Sequence, residues 1–244
     1  MACINYAHRG ASTYAPENTL AAFYLGLEMG ADGIETDIQR TSDGVLVLFH
    51  DDSLMHICGL PRRISEYTYR ELLEIDFGAF KNMERYKAER IVTLEEFLLR
   101  FGGKPLAFAL EIKQAGVEKE ALEIVNRSGA RGKVTFTSFQ WDSLAALRAM
   151  DSEIAIGYLT SNGIADEDLD RLEAYGIRQI CPGIDKIQRA DVEKAHARGF
   201  SVRVWKVANA EWMRKAIDIG ADGMTVNFPD KLTEALQRKS MASI

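Results

Sequence analysis

Cysteine is scarce in this chain: Cys3, Cys58 and Cys181 are odd in number and widely scattered, which speaks against a disulfide framework and against a thiolate metal site. Long apolar runs are missing too. The longest reach only a few residues, against the roughly 20 needed to span a bilayer, and no basic, apolar, small-residue leader opens the chain. The expectation is a cytoplasmic protein without stable membrane insertion. Charge of one sign is nowhere concentrated. Lys plus Arg number 30 against 36 Asp plus Glu, a net charge of -6, and no block of like charges offers the arm or patch of a nucleic-acid binder. An anionic ligand must therefore be gripped locally. What is present, 47% hydrophobic and 27% charged residues over 244 positions, is the make-up of a globular protein with one sizeable core.

The pattern along the chain repeats rather than restarts, so residues 1–244 read as a single domain. Short β-branched runs alternate with amphipathic stretches at a period of about 20 to 25 residues, the rhythm of βα units. The amphipathic stretches stop at Gly30, Gly129, Gly176, Gly199 and Gly220, as helices ending in a left-handed residue do. Nine strands are expected: Ile4 to Ala7, Gly33 to Ile38, Val45 to Phe49, Leu106 to Ile112, Lys133 to Thr137, Ile154 to Tyr158, Ile177 to Cys181, Ser201 to Lys206 and Gly223 to Asn227. Val45 to Phe49 is separated from its predecessor by a loop too short for a helical crossover. It is expected to form a hairpin with Asp43 and Gly44 as the two turn residues, which sets Asp37 opposite His50. The other eight strands predict a distorted α/β (β/α)8 TIM barrel carrying that extra hairpin strand after strand 2. An open doubly wound sheet is the rival, but no G-x-G-x-x-G follows the first strand to support it. Asp51 to Arg90 breaks the rhythm and reads as a small insertion over the barrel mouth, the place where long irregular segments tend to be functional.

In a parallel barrel the active site lies at the carboxyl ends of the strands. There stand His8-Arg9-Gly10, Glu35 and Asp37, His50-Asp51, Glu111 and Lys113, and Trp205. Glu35 and Asp37 lie two apart and so share the inward face. With Glu111 they make a trio whose mutual repulsion calls for a cation or protons, and an all-oxygen set suits Mg²⁺ or Ca²⁺. Imidazole is the side chain that ordinarily changes charge near neutrality, so His8 and His50 are the candidates for a paired general acid and base; His56 and His196 read as solvated or packed. Arg9 and Lys113 supply the positive charge that binds a phosphoryl group. Glu17, in the first βα loop beside the helix-capping candidates Asn18 and Thr19, takes a secondary site role. Tyr67, Tyr69, Phe77 and Phe80 are candidates for an alcohol pocket, with Trp205 the strongest. Oligomeric state is left open, a homo-oligomer included.

Taken together, His8-Arg9-Gly10, Pro16-Glu17-Asn18-Thr19, Gly30-Ala31-Asp32-Gly33-Ile34-Glu35-Thr36-Asp37, Asp43-Gly44 followed by His50-Asp51, Thr93-Leu94-Glu95-Glu96 and Glu111-Ile112-Lys113 closely resemble the glycerophosphodiester phosphodiesterases, within the phosphoinositide-phospholipase-C-like barrels. The resemblance is dense to residue 113 and thinner beyond, where Trp205 and Gly220-Ala221-Asp222-Gly223 are the landmarks. It implies hydrolysis of a small-molecule glycerophosphodiester to glycerol 3-phosphate and an alcohol, with one divalent cation, Ca²⁺ or Mg²⁺. It also implies Glu35, Asp37 and Glu111 as metal ligands, His8 and His50 as acid and base, and Arg9 and Lys113 as phosphate binders. The glycerol 2-hydroxyl is an internal nucleophile by analogy with the phosphoinositide-cleaving barrels. Three stretches depart from the family pattern: Trp205-Lys206-Val207-Ala208 stands for W-T-V-N, Val226-Asn227-Phe228-Pro229 for T-D-x-P, and Ser53-Leu54-Met55-His56-Ile57-Cys58 for an arginine-threonine-rich stretch after His50. The alternatives are the same chemistry on a lysophospholipid or sugar phosphodiester, and a catalytically silent phosphodiester-binding barrel.

Overall fold

The β-branched runs pair side by side and close into a ring. A computed structural model describes residues 3–79 and 84–242. Its strands are β1 (Ile4–His8), β2 (Gly33–Arg40), β3 (Leu46–Leu48), β4 (Ala107–Ile112), β5 (Val134–Ser138), β6 (Ala155–Thr160), β7 (Gln179–Pro182), β8 (Ser201–Val204) and β9 (Gly223–Val226). Around the barrel the order is β1, β2, β4, β5, β6, β7, β8, β9 and back to β1, every pairing parallel. β3 pairs antiparallel with the far end of β2, outside the ring. The structure thus has the eight-stranded barrel with one extra strand that the sequence predicts.

Helices fill the connections. α1 (Leu20–Glu28) follows β1, α2 (Met55–Cys58) and α3 (Tyr69–Leu73) lie in the segment after β3, and α4 (Leu94–Phe101) leads into β4. Then come α5 (Glu118–Arg127), α6 (Trp141–Met150), α7 (Asp166–Ala174), α8 (Arg189–Ala197), α9 (Ala210–Ile219) and the closing α10 (Pro229–Ala242). Their ends are set locally. Thr19 Oγ1 accepts from Ala22 N at the start of α1, Thr93 Oγ1 from Glu96 N at the start of α4, and Asn209 Oδ1 from Glu211 N and Trp212 N at the start of α9, each satisfying a donor the helix cannot. Gly220 ends α9 at φ +86°, a left-handed cap open to glycine at no steric cost. Between barrel and outer helices, Phe23, Phe97, Phe101 and Phe108 pack edge to face or tilted, with adjacent ring centroids 4.9 to 5.9 Å apart. They are fully buried, so truncating one to Ala costs about 3–5 kcal/mol. None of the described helices is long and apolar enough to cross a membrane.

The hairpin differs from expectation by one residue. Ile38 pairs with Leu48, Gln39 with Val47 and Arg40 with Leu46, so Asp37 faces Phe49, whose N–H donates to Asp37 O at 3.0 Å, and not His50. The cause is a three-residue loop, Ser42-Asp43-Gly44. Thr41 N donates to Val45 O and Gly44 N to Thr41 O, with Gly44 at φ +92°, the left-handed position of that loop class. The shift places His50 past the last paired residue, where its side chain turns into the barrel mouth.

None of the described residues from Asp51 to Arg90 is among those that line the cavity at the barrel mouth. With β3 the segment builds a second core from Val47, Phe49, Leu54, Ile57, Ile64, Tyr67, Leu72, Phe77 and Ile91. Tyr67 and Phe77 are therefore packing residues, Tyr69 packs against the same cluster, and Phe80 lies outside the described residues.

Candidate active site

Register brings the inward acids together. His8 lies beside Glu35 across β1 and β2, and Asp37 beside Glu111 across β2 and β4. One carboxylate oxygen from each of Glu35, Asp37 and Glu111 lies within 4.8 Å of the others, and all three residues are buried. Their neighbours compensate the charge only in part. Arg9 Nε stands 3.4 Å from Asp37 Oδ2, which also accepts from Asn18 Nδ2 at 3.1 Å, and Lys113 Nζ stands 3.2 Å from Glu111 Oε1. Asp37 Oδ1 and Glu35 Oε2 have no hydrogen-bond partner. Burial, then Asp37 and Glu111, push the Glu35 carboxyl well above its ordinary value. Burial and Asp37 raise Glu111 as well, against Lys113. Burial works against ionisation of Asp37 too, but Arg9, His50 and Lys113 outweigh it and hold that carboxyl below the usual range. Such a set, anionic, all-oxygen and short of donors, fits a hard divalent cation.

The two imidazoles flank the trio. His8 Nε2 is 3.7 Å from Glu35 Oε2, and its Nδ1 is 2.5 Å from Asn227 Oδ1. An amide oxygen only accepts, so Nδ1 carries the proton and Nε2 presents a lone pair. Burial and then Arg9 push His8 well below its ordinary value, which keeps it neutral around pH 7. His50 Nδ1 meets Asp51 Oδ1 at 2.7 Å, which orients the ring. His56, largely exposed, reaches Asp51 at 3.5 Å, and His196 pairs with Asp222 far from the cavity.

One cavity of about 390 Å³ is lined by His8, Arg9, Glu35, His50, Glu111 and Lys113, by the apolar Phe139, Leu159, Trp205, Val207 and Ala208, and by Arg203, Lys206, Thr225 and Asn227. Trp205 is held by its own N–H, which donates to Thr160 O and Cys181 O at 3.3 and 3.1 Å. Phe139 stands edge-on to it, with centroids 5.4 Å apart at 90°. Glu17 does not line the cavity; its Oε1 accepts from Arg9 Nη1 at 2.9 Å, so it touches the site through Arg9. Arg9 itself sits at φ +55°, a left-handed conformation uncommon for a side-chain-bearing residue. The next residue, Gly10, is at φ +83°, and a Cβ there would lie 2.4 Å from Ala22 C, so the turn that aims Arg9 admits glycine alone.

Several functional positions escaped the sequence reading. Gln39 Nε2 donates to Phe49 O, His50 O and Asp51 O at 2.9, 3.2 and 2.8 Å, pinning the backbone that carries His50. A polar residue on the same strand face as Glu35 and Asp37 was the available signal. Asn18, at φ +55°, ties Thr36 to Asp37 instead of capping α1, a task left to Thr19. Phe139, one residue past β5, looks like core in the sequence.

Comparison with known proteins identifies the family. The Glycerophosphoryl diester phosphodiesterase family profile matches residues 8–231. A glycerophosphodiester phosphodiesterase of Caldanaerobacter subterraneus is 32% identical over 239 residues, covering 95% of this chain and 97% of that protein. Among solved structures, an Oleispira antarctica phosphodiesterase in complex with the product sn-glycerol-3-phosphate superposes with a TM-score of 0.88 at 28% identity, over 97% of each chain. A Thermotoga maritima glycerophosphodiester phosphodiesterase gives 0.79 at 26% identity, covering 95% of this chain and 98% of that one. This chain belongs to the glycerophosphoryl diester phosphodiesterase family.

Proposed function

We propose that the protein hydrolyses glycerophosphodiesters to glycerol 3-phosphate and an alcohol, using a divalent cation held by Glu35, Asp37 and Glu111 and the imidazoles of His8 and His50 as base and acid. The observation that carries this reading is the convergence of His8, His50, Glu35, Glu111, Arg9 and Lys113 on one cavity, with buried Asp37 completing the carboxylate trio behind it. The Oleispira antarctica relative, caught with sn-glycerol-3-phosphate, supports the product.

Each residue's part follows from its surroundings. Arg9 and Lys113 face the phosphoryl oxygens and offset the charge that grows on them as phosphorus is attacked. A cation in the carboxylate trio would polarise a phosphoryl oxygen and neutralise part of that charge; Ca²⁺ and Mg²⁺ both suit the donors. His8, neutral with its Nε2 lone pair available, takes the proton of the attacking hydroxyl, from water or from the neighbouring glycerol 2-hydroxyl, where attack within one molecule gains from proximity. The other imidazole, His50, oriented by Asp51, hands a proton to the departing alcohol oxygen as its bond to phosphorus breaks. When the 2-hydroxyl attacks first, water opens the cyclic phosphate with the two roles exchanged. The net change adds one water across one P–O bond. Phe139, Leu159 and Trp205 face the departing alcohol.

The test is phosphorus NMR of the products from glycerophosphocholine with added Ca²⁺ or Mg²⁺, beside lysophosphatidylcholine and a sugar phosphodiester. Glycerol 3-phosphate from glycerophosphocholine is the expected signal. Phosphocholine in its place, or turnover of the other diesters alone, overturns the proposed substrate.

A further inference from the structure

Below the trio lies a charged residue that neither acid/base chemistry nor phosphate binding uses. Arg203, on β8, is 2% exposed, and long charged side chains are almost never buried without an ionic partner. Its Nη1 donates to Thr225 Oγ1 at 2.5 Å, and its guanidinium sits 5.5 Å from the centroid of the Tyr6 ring. Nε and Nη2 have no hydrogen-bond partner. Register fixes the depth. Tyr6 pairs with both Thr225 and Gly33, two residues before the layer in which His8 meets Glu35, so the guanidinium forms the floor under the carboxylates. It nevertheless shares their cavity. Burial alone would lower the Arg203 pKa, but Cys181, Glu35, Tyr6 and Glu111 raise it above its usual value.

Arg9 and Lys113 are already engaged with Asp37, Glu17 and Glu111. Set against Arg9 and Lys113, ionised Glu17 and the three carboxylates leave a formal surplus of about two negative charges without a divalent ion and none with it. Buried like charges repel strongly at low effective dielectric. We propose that Arg203 is a built-in counter-cation for the carboxylate trio, one that stands in for the divalent ion when the ion is absent and opposes it electrostatically when it is present. Arg203 is a positioning residue in this sense: it holds the barrel floor against the trio's repulsion and touches neither substrate nor reacting atoms. The inference rests on the reading that the trio holds a divalent cation.

Two signatures follow, and a residue that merely packs would show neither. Neutralising Arg203 should tighten the ion, because a positive charge near the site is removed; the gain in affinity is on the order of tenfold. By linkage, the same substitution should cost more stability in chelator than in saturating ion, a difference of about 3 °C or more in melting temperature. The experiment is calorimetric titration of Ca²⁺ and of Mg²⁺ into substrate-free protein at pH 8, with thermal melts in chelator and in ion, for the natural chain, Arg203→Met, Arg203→Gln and Arg203→Lys. The neutral variants should bind more tightly and melt disproportionately early in chelator, while Arg203→Lys, which keeps the charge, stays close to the natural chain. A neutral variant that folds only with ion present supports the proposal. Unchanged or weaker ion affinity in the neutral variants, equal loss of stability with and without ion, or failure to fold in both conditions overturns it. If the natural chain binds no divalent ion, the metal reading fails and this inference falls with it; normal binding with no effect of Arg203 defeats this inference alone.

Discussion

The two walls of the cavity are built from different chemistry and different stretches of chain. Ionisable groups from β1, β2, β4 and the loop after β3 make one: His8, Arg9, Glu35, His50, Glu111 and Lys113. The rest comes from strands and loops after residue 130, where the apolar Phe139, Leu159, Trp205, Val207 and Ala208 form a wall interrupted by Arg203, Lys206, Thr225 and Asn227. The division separates the tasks of the site. Under the proposed function, the charged wall handles what every phosphodiester shares, a phosphoryl group and two oxygens that exchange protons. Under the same proposal, the apolar wall faces what varies, the alcohol. A change on the first should therefore cost turnover for every substrate, and a change on the second should reorder substrates.

The largest effect belongs to the charged wall. His8→Ala and His50→Ala should each lower kcat by on the order of 10²- to 10⁴-fold, measured as glycerol 3-phosphate release under saturating ion, with circular dichroism unchanged. A variant that keeps full turnover removes that histidine from the acid/base pair. On the opposite wall, Trp205→Ala should alter kcat/KM unevenly across glycerophosphodiesters, spreading or collapsing the preference by roughly 10- to 100-fold, as competition assays with mixed substrates would read. Equal losses for all alcohols would erase the contrast between the walls.

Gln39 sharpens the comparison because it does not line the cavity and reaches His50 only through the backbone. Gln39→Leu releases the backbone of Phe49, His50 and Asp51 and should reduce kcat by about tenfold with KM nearly kept, since a small misplacement of a catalytic group is costly. A KM effect with intact kcat would assign Gln39 to binding. The smallest expected effect is on stability. The Glu35 carboxyl, raised above 4.5 chiefly by burial, holds its proton in the folded chain at pH values where the unfolded chain has released it. Without ion, this contribution to stability is present at low pH and is lost as pH rises from 4.5 through the raised value. With ion bound, the carboxylate is ionised throughout. The gap in melting temperature between ion-saturated and chelated protein should thus widen with rising pH; a constant gap would contradict the raised Glu35.

Legibility in the sequence follows the same division. The charged wall stands out because an acid or histidine at a strand end has few structural reasons to be there, and period-two spacing alone places Glu35 and Asp37 on one face. Leu159 and Phe139 carry no such mark, since an apolar residue at the end of a β-branched run reads as core. Hairpin register escaped because a two-residue turn and a three-residue loop share the Asp43-Gly44 signal, and only backbone geometry tells them apart. Arg203 was readable in principle: a charge in the middle of Ser201-Val202-Arg203-Val204, two residues before Trp205, must point into the barrel with it. Asn227 carries its information by contact alone, through an oxygen that fixes the His8 proton on Nδ1.

The decisive measurement is ion stoichiometry by calorimetry on chelator-stripped protein, comparing the natural chain with a Glu35→Gln, Asp37→Asn, Glu111→Gln triple variant that keeps side-chain size and removes the charges. One Ca²⁺ or Mg²⁺ per natural chain, and none per folded triple variant, is the expected result. Equal binding by both, or full turnover of stripped natural protein in chelator, would contradict a carboxylate-held cation at the heart of this site.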